Sequence, residues 1–244
     1  MSLKSSIENI LKHYPPLFRL GSRVYHKLNG SFRTLSPGTP EAIQQAFELL
    51  QQESDAPLGD YYEFGLFRGY SFLQAFKYSE ALGLDELHFY GFDSFEGLPP
   101  AEGVDKADGR FFEGQFACSL EEVKGNLADN GMNMNRATLI KGFYEDSLTE
   151  ELRTQHDFKP ASVVLLDCDY YSSTRTALLW MTPYIGPGTV LLFDDWYSYS
   201  EDDNTELGQQ KALDEFLQEN PRLQAEALWE FSDHGKGFIL RGNG

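Results

Sequence analysis

Residues 163–169 read Val-Val-Leu-Leu-Asp-Cys-Asp, and residues 189–195 read Thr-Val-Leu-Leu-Phe-Asp-Asp. Each is a short apolar run of the kind a strand buried on both faces requires, and each ends in acids. Between them Ala177, Trp180, Met181 and Tyr184 recur at helical spacing, so the unit reads strand, helix, strand. That crossover joins parallel strands and covers the sheet with its helix. Part of the unit imitates a membrane span, because Thr176 to Phe193 carries no charge and is about long enough. Pro183, Gly186, Pro187 and Gly188 interrupt it, and Arg175 and Asp194 close it. It reads as a buried helix, a turn and a buried strand.

The same alternation extends upstream. Tyr61-Tyr62-Glu63-Phe64 predicts a first strand; Phe72, Ala75, Phe76 and Leu82 stripe a helix that Gly83 ends; Leu87 to Phe92 is a second strand. Ser119 with Glu122 forms a capping box for a helix carrying Leu120, Val123 and Leu127, ending near Gly131. Ala137 to Lys141 is the third strand, Val163 to Leu166 the fourth and Thr189 to Phe193 the fifth. Downstream, Leu213, Phe216 and Leu217 stripe a helix. Leu228 to Phe231 and Gly237 to Leu240 then pair as a hairpin about Asp233-His234-Gly235-Lys236. The prediction is an α/β, doubly wound, Rossmann-like, seven-stranded and mostly parallel sheet with a C-terminal antiparallel hairpin.

Ahead of the sheet, Thr39-Pro40-Glu41 reads as an N-cap, an N1 proline and an acidic first turn, opening a helix to about Gln52. The polar stretch from Glu53 to Gly59 divides an N-terminal helical arm or lid, residues 1–58, from the main domain, residues 59–244. In the arm, Ile7, Ile10, Leu11 and Tyr14 follow helical spacing until Pro15 and Pro16. Lys4, Lys12, Arg19, Arg23, Lys27 and Arg33 stand there against the single acid Glu8. Such a basic arm lies on the acidic body or a twin subunit, or receives an anionic substrate or carrier.

The whole chain has 244 residues and a net charge of −18, which makes it a poor partner for phosphate backbones. Hydrophobic residues at 41% describe a globular protein. Cys118 and Cys168 form no CxxC pair, which excludes a disulfide scaffold or a thiol-rich zinc site. Lys4, Glu8 and Lys12 leave no apolar core for a signal peptide, and the expected setting is cytoplasmic, with no membrane or nucleic-acid partner.

In such sheets ligands bind beyond the carboxyl ends of the strands. Four stretches fall there. Glu63-Phe64-Gly65-Leu66-Phe67-Arg68-Gly69-Tyr70-Ser71 allows close backbone approach, but Phe67 breaks GxGxxG. It suits a ligand presenting a carboxylate and an amine better than a pyrophosphate, or it is an ordinary tight turn. Asp93 ends the second strand where a ribose diol is commonly held, and the alternative is a turn cap. Asp167-Cys168-Asp169 and Asp194-Asp195 end the fourth and fifth strands. Carboxylates clustered on neighbouring strands repel unless a cation lies between them, and oxygen-only ligation favours Mg²⁺ or a similar hard ion. Glu201-Asp202-Asp203-Asn204 reads as a solvated loop.

With these residues in view, the chain resembles the class I S-adenosylmethionine-dependent methyltransferases, specifically the macrocin, mycinamicin and novobiocin O-methyltransferase (TylF-type) group. The carriers are Glu63 to Gly69, Asp93-Ser94-Phe95-Glu96-Gly97-Leu98-Pro99, Gly142-Phe143-Tyr144-Glu145-Asp146-Ser147, Asp167-Cys168-Asp169-Tyr170-Tyr171-Ser172-Ser173-Thr174, and Asp194-Asp195-Trp196. The resemblance implies that Glu63, Gly65 and Gly69, with Ser71, cradle the methionine half of S-adenosylmethionine. It implies that Asp93, beside Ser94, holds the ribose, and that Gly142, Asp146 and Ser147 border the adenine. It further implies Asp167, Asp194 and Asp195 as Mg²⁺ ligands, Asp167 also touching the cofactor, with Asp169 as general base. Cys168 stands where glycine is usual, and Trp196 where tyrosine is common.

The expected activity is methyl transfer to a hydroxyl of a sugar or natural product by a homodimer. A nucleotide-sugar glycosyltransferase using Asp-x-Asp and a divalent metal is the alternative, and a catalytically idle scaffold is the non-enzyme one. Cys168 is read as a packed small residue and not a nucleophile.

Overall fold

The computed structural model describes residue 32 and residues 36–53, 58–107, 111–199 and 206–243. The arm helix expected over residues 7–14, the arm's basic residues and the loop at 201–204 lie outside the described residues. The first described helix, α1, is Thr39–Glu53. Then follow β1 Asp60–Phe64, α2 Tyr70–Ala81, β2 Phe89–Asp93, a 3₁₀ turn Gly103–Ala107, α3 Leu120–Asp129 and β3 Ala137–Lys141. The chain continues with α4 Tyr144–Ser147, α5 Glu150–Gln155, β4 Ala161–Leu166, α6 Tyr171–Met181, β5 Val190–Phe193, α7 Gly208–Glu219, β6 Leu223–Phe231 and β7 Gly235–Gly242. Among the described residues no helix is long and apolar enough to cross a membrane.

Seven strands form one sheet in the order β3-β2-β1-β4-β5-β7-β6. β1 to β5 run parallel, and β7 is antiparallel to both β5 and β6. The order turns back between β1 and β4, which makes their carboxyl ends the switch point where a crevice opens. Side chains alternate between the two faces because a strand has a period of two. Tyr61, Val163, Leu165, Val190 and Leu192 pack on one side with Ile43 and Phe47 of α1 and Phe72 of α2. Tyr62, Phe64, Val164, Leu166, Leu191 and Phe193 pack on the other with Ala177 and Trp180 of α6 and Phe216 of α7. A sheet covered on both faces explains the near-continuous apolar runs in β4 and β5.

One local signal acts as chemistry demands and two do not. The Ser119 hydroxyl accepts from the Glu122 N–H, and Asn130 ends α3. Thr39, read as an N-cap, instead donates its hydroxyl to Asp194 at 2.6 Å. Helix α6 stops at Met181, so Tyr184 lies beyond it despite its spacing.

Candidate active site

Register places the site. Phe92 lies beside Phe64, Phe64 beside Leu166, and Leu166 beside Phe193. Backbone bonds carry this alignment one residue further. Gly142 N–H donates to Asp93 O at 3.0 Å, Gly65 N–H to Phe92 O at 2.9 Å, Asp167 N–H to Phe64 O at 2.9 Å, and Asp194 N–H to Leu166 O at 3.0 Å. Five parallel strands therefore end in one row: Gly142, Asp93, Gly65, Asp167 and Asp194. A cavity of about 360 Å³ opens beyond that row, a size that takes a small cofactor. Of the residues singled out in the sequence, Gly65, Ser71, Asp93, Ser94, Gly142, Asp167, Asp169, Asp194 and Asp195 line it.

Gly65 makes the crevice possible. Its φ is +92°, and a Cβ there would sit 1.7 Å from the carbonyl oxygen of Asp167. Only a residue without a side chain lets the β1 turn nest against the end of β4. Gly69, at φ +82°, begins α2 and backs onto Leu127 and Val123 outside the cavity lining. Glu63 also stands behind the wall, fully buried on the Tyr61 face of the sheet. Its carboxylate accepts from Tyr61 Oη and from Ser71 Oγ, both at 2.6 Å. Burial, offset in part by those two donors, pushes its pKa up to about 8. Ser71 is thus the side chain joining Glu63 to the cavity.

Asp93 holds the glycine turn itself. One carboxylate oxygen accepts from the N–H groups of Leu66 at 2.7 Å and Phe67 at 3.1 Å, the other from Phe95 at 2.6 Å. These are the bonds of the turn-cap alternative, made by a carboxylate that also lines the cavity. Burial raises its pKa while the three N–H donors lower it. On the β3 side, Gly142, Phe143, Tyr144 and Glu145 line the wall. Asp146 and Ser147 do not; Ser147 turns its hydroxyl back to the carbonyls of Phe143 and Gly142 and faces a second hollow at the β3 edge.

The acids at β4 and β5 share the cavity. Asp169, 7% exposed, adopts a left-handed φ of +61°, and its N–H donates to Asp195 Oδ2 at 3.1 Å. Aspartate tolerates that conformation better than most side chains, and such backbone is typical of functional sites. Asp195 is also held by Ser198 Oγ at 3.1 Å, and its N–H donates to Gln209 Oε1 at 2.9 Å. Asp194 accepts from Ser36 Oγ and Thr39 Oγ1. Burial, then the charges of Asp194, Asp195, Asp169 and Glu63, hold Asp167 well above the usual carboxylate range. Asp169 is held high by burial and by Asp195, Asp194 and Asp93.

Four carboxylates in one cavity, three of them buried and Asp167 half-buried, are the donor set of a hard dication. They are not gathered as ligands, however: among the described residues no group of three or more His, Cys, Asp or Glu stands ready for a metal. The carboxylates are instead tied to hydroxyl and N–H donors. Cys168 is buried, meets Thr174 Oγ1 at 3.5 Å and has its pKa pushed well up by burial, the state of a packed thiol.

Other wall residues had no pattern to reveal them. Phe111, Gln115 and Phe116 come from the irregular stretch between β2 and α3, and His234 from the β6–β7 turn. That irregular stretch is fastened by Asp105, whose carboxylate accepts from the Tyr171 and Ser172 N–H groups at the start of α6, at 2.8 and 3.3 Å.

The sequence model of the macrocin-O-methyltransferase (TylF) family matches residues 41–219. A Streptomyces olivaceus enzyme, 8-demethyl-8-(2,3-dimethoxy-alpha-L-rhamnosyl)-tetracenomycin-C 4'-O-methyltransferase, is 30% identical over 149 residues. That match covers 59% of this chain and 55% of the relative, little more than half its length. The solved structure of the O-methyltransferase NovP superposes with a TM-score of 0.68 at 22% identity, over 84% of this chain and 79% of that one. An O-methyltransferase from Bacillus cereus in complex with SAH gives 0.53 at 18% identity, over 89% and 86%. At those identities the structural likeness establishes the fold.

Proposed function

Because the chain belongs to the macrocin-O-methyltransferase (TylF) family, we propose that it transfers a methyl group from S-adenosylmethionine to a hydroxyl of a sugar or natural product, with the aid of Mg²⁺. Membership in that family favours this reading over the glycosyltransferase alternative. The observation that carries it is the row of strand ends: a glycine bend, a ribose-height carboxylate and four further acids open on one cavity. The family's activity and the SAH complex of a structural neighbour support the cofactor.

S-adenosylmethionine, when bound, supplies the methyl group on a sulfonium, and a divalent cation supplies positive charge that lowers the pKa of an acceptor hydroxyl. Gly65 and Ser71 border the place of the methionine half, Asp93 that of the ribose, and Gly142 to Glu145 that of the adenine. Asp167, Asp194 and Asp195, not gathered as ligands as they stand, would hold the cation once their carboxylates turn toward a common point, and its charge would relieve the repulsion that raises Asp167. With the donor bound, the C–O bond would form as the methyl C–S bond breaks and S-adenosylhomocysteine leaves as a thioether, and Asp169 is the residue that would take the acceptor's proton. A carboxylate whose pKa lies above its ordinary range is a stronger base for this task, provided it is ionised. Phe67, Phe111 and Phe116 offer apolar wall to the body of the acceptor. Buried free cysteines accord with a cytoplasmic setting, and the homodimer expected from the resemblance belongs to the same proposal.

The test is methyl transfer to a panel of glycosylated natural products with and without a chelator, comparing the wild type with Asp169→Asn. Asparagine also accepts a left-handed backbone. The variant is expected to lose about 10²–10⁴-fold in turnover while binding S-adenosylhomocysteine normally. Full turnover by Asp169→Asn removes the base, and turnover indifferent to chelator removes the cation.

A further inference from the structure

Gln115 lines the cavity but has no part in the chemistry above. The stretch between β2 and α3 holds it firmly. Its N–H donates to the Phe112 carbonyl at 3.1 Å, and its own carbonyl accepts from the Leu98 N–H at 2.9 Å. Gly97, at φ +89°, packs so closely that a Cβ there would lie 2.4 Å from the same carbonyl oxygen. The side chain is fixed as well, because its Oε1 accepts from the Phe112 N–H at 3.1 Å. An N–H can only donate, so the amide oxygen is the atom that faces it and the NH₂ end is left as a donor. Among the described residues that NH₂ meets no acceptor, although Gln115 stands on the cavity wall. Two pinned rings flank it in sequence. Phe116 meets Phe67 edge-on at 5.8 Å, and Phe111 meets Tyr170, the residue after Asp169, at 6.0 Å. Phe111 and Asp105, which bonds the start of α6, tie this stretch to the end of β4 where Asp169 stands.

We propose that Gln115 is a specificity-determining residue for the methyl acceptor: its amide N–H donates to a carbonyl, ether or hydroxyl oxygen of the acceptor, while Phe111 and Phe116 take apolar surface beside that oxygen. This deepens the acceptor reading above and rests on it. An apolar wall gives affinity without direction, and one polar group set in it fixes how the ligand lies. A donor left without its partner in such a site counts against an analogue lacking that oxygen. The acceptor class narrows accordingly to glycosides or aromatic products that carry an oxygen next to a flat apolar face.

The experiment measures kcat and KM of the full chain at about pH 8.5, where an introduced carboxylate is ionised, for wild type, Gln115→Glu and Gln115→Leu. The probes are the glycosylated natural product that the wild type methylates fastest and its analogues lacking one oxygen each. S-adenosylhomocysteine affinity and melting temperature are recorded beside them. Gln115→Glu keeps an oxygen for the Phe112 N–H and loses only the donor, whereas Gln115→Leu loses both. Each variant is expected to raise KM for the full acceptor about 3–10-fold, with kcat and S-adenosylhomocysteine affinity unchanged and Gln115→Glu melting as the wild type does. One analogue is expected to lose that same factor with the wild type and nothing further with Gln115→Leu. A wild-type KM in Gln115→Glu overturns the inference, and impairment of Gln115→Leu alone then leaves the side chain as a brace for Phe112. Analogues that all lose as much with Gln115→Leu as with the wild type overturn it as well. S-adenosylhomocysteine affinity that falls in both variants assigns the amide to the cofactor and overturns it too. A wild type that methylates no glycosylated product overturns the acceptor reading and the inference with it. Should Gln115→Leu fail to fold, Gln115→Glu carries the same comparison across the analogues.

Discussion

Replacing Glu63 with glutamine tests the electrostatics of the site floor. Glu63 is fully buried, and its pKa stands near 8 against an ordinary 4.5. The folded state therefore holds the proton more tightly than the unfolded chain does. The resulting stabilisation is fully present below about pH 4.5 and is lost as pH rises through about 8. At about 1.4 kcal/mol per pH unit, the loss over that window comes to about 5 kcal/mol. Glutamine keeps the shape and can still bond Tyr61 and Ser71, but it never ionises. Urea unfolding of wild type and Glu63→Gln at several pH values from 4 to 9.5, without ligand, isolates the group, since most other titrations cancel in the difference. The stability of the variant minus that of wild type should be flat below pH 4.5, climb between 5 and 8, and level off above. A difference independent of pH, or one that falls as pH rises, would refute the reasoning.

Three further outcomes are expected. Gly65→Ala adds a Cβ that meets the Asp167 carbonyl at a left-handed φ, so calorimetric binding of S-adenosylhomocysteine should be lost or fall at least tenfold; wild-type affinity contradicts the close approach. Asp105→Ala removes the acceptor for the first N–H groups of α6 and should cost about 1–2 kcal/mol in chemical denaturation. Arg241→Ala breaks ion pairs with Glu53 and Glu226 on a partly exposed surface and should change stability by no more than about 1 kcal/mol, less in high salt.

Much of this arrangement was legible because buried parallel strands announce themselves. Val163 to Leu166 and Val190 to Phe193 can be nothing else once Pro183 and Gly186 divide them, and the acids after them had to reach the same edge. Depth was not legible. Period-two alternation puts Glu63 beneath the sheet face of Tyr61, so its carboxylate lies behind Ser71 and outside the cavity lining. Helices α4 and α5, with four and six residues, are too short to show a stripe, and the turn of α4 leaves Asp146 and Ser147 off the wall while Tyr144 and Glu145 line it. Thr39 had the sequence of a cap, but an acid more than 150 positions away took its hydroxyl. Long-range pairing of that kind leaves no local trace. The left-handed residues Phe67, Phe95, Phe116 and Asp169 are not themselves glycine, so their residue type does not mark them.

The order of the sheet also bears on how a nascent chain is completed. β7, the last of the described strands, lies between β5 and β6, and its Ile239 and Leu240 are wholly buried. Until those residues emerge from the ribosome, β5 keeps a naked hydrogen-bonding margin and β6 has nothing to join. Vectorial synthesis thus leaves the acid-bearing half of the sheet open longest, and chaperone dependence during translation should concentrate on that interval.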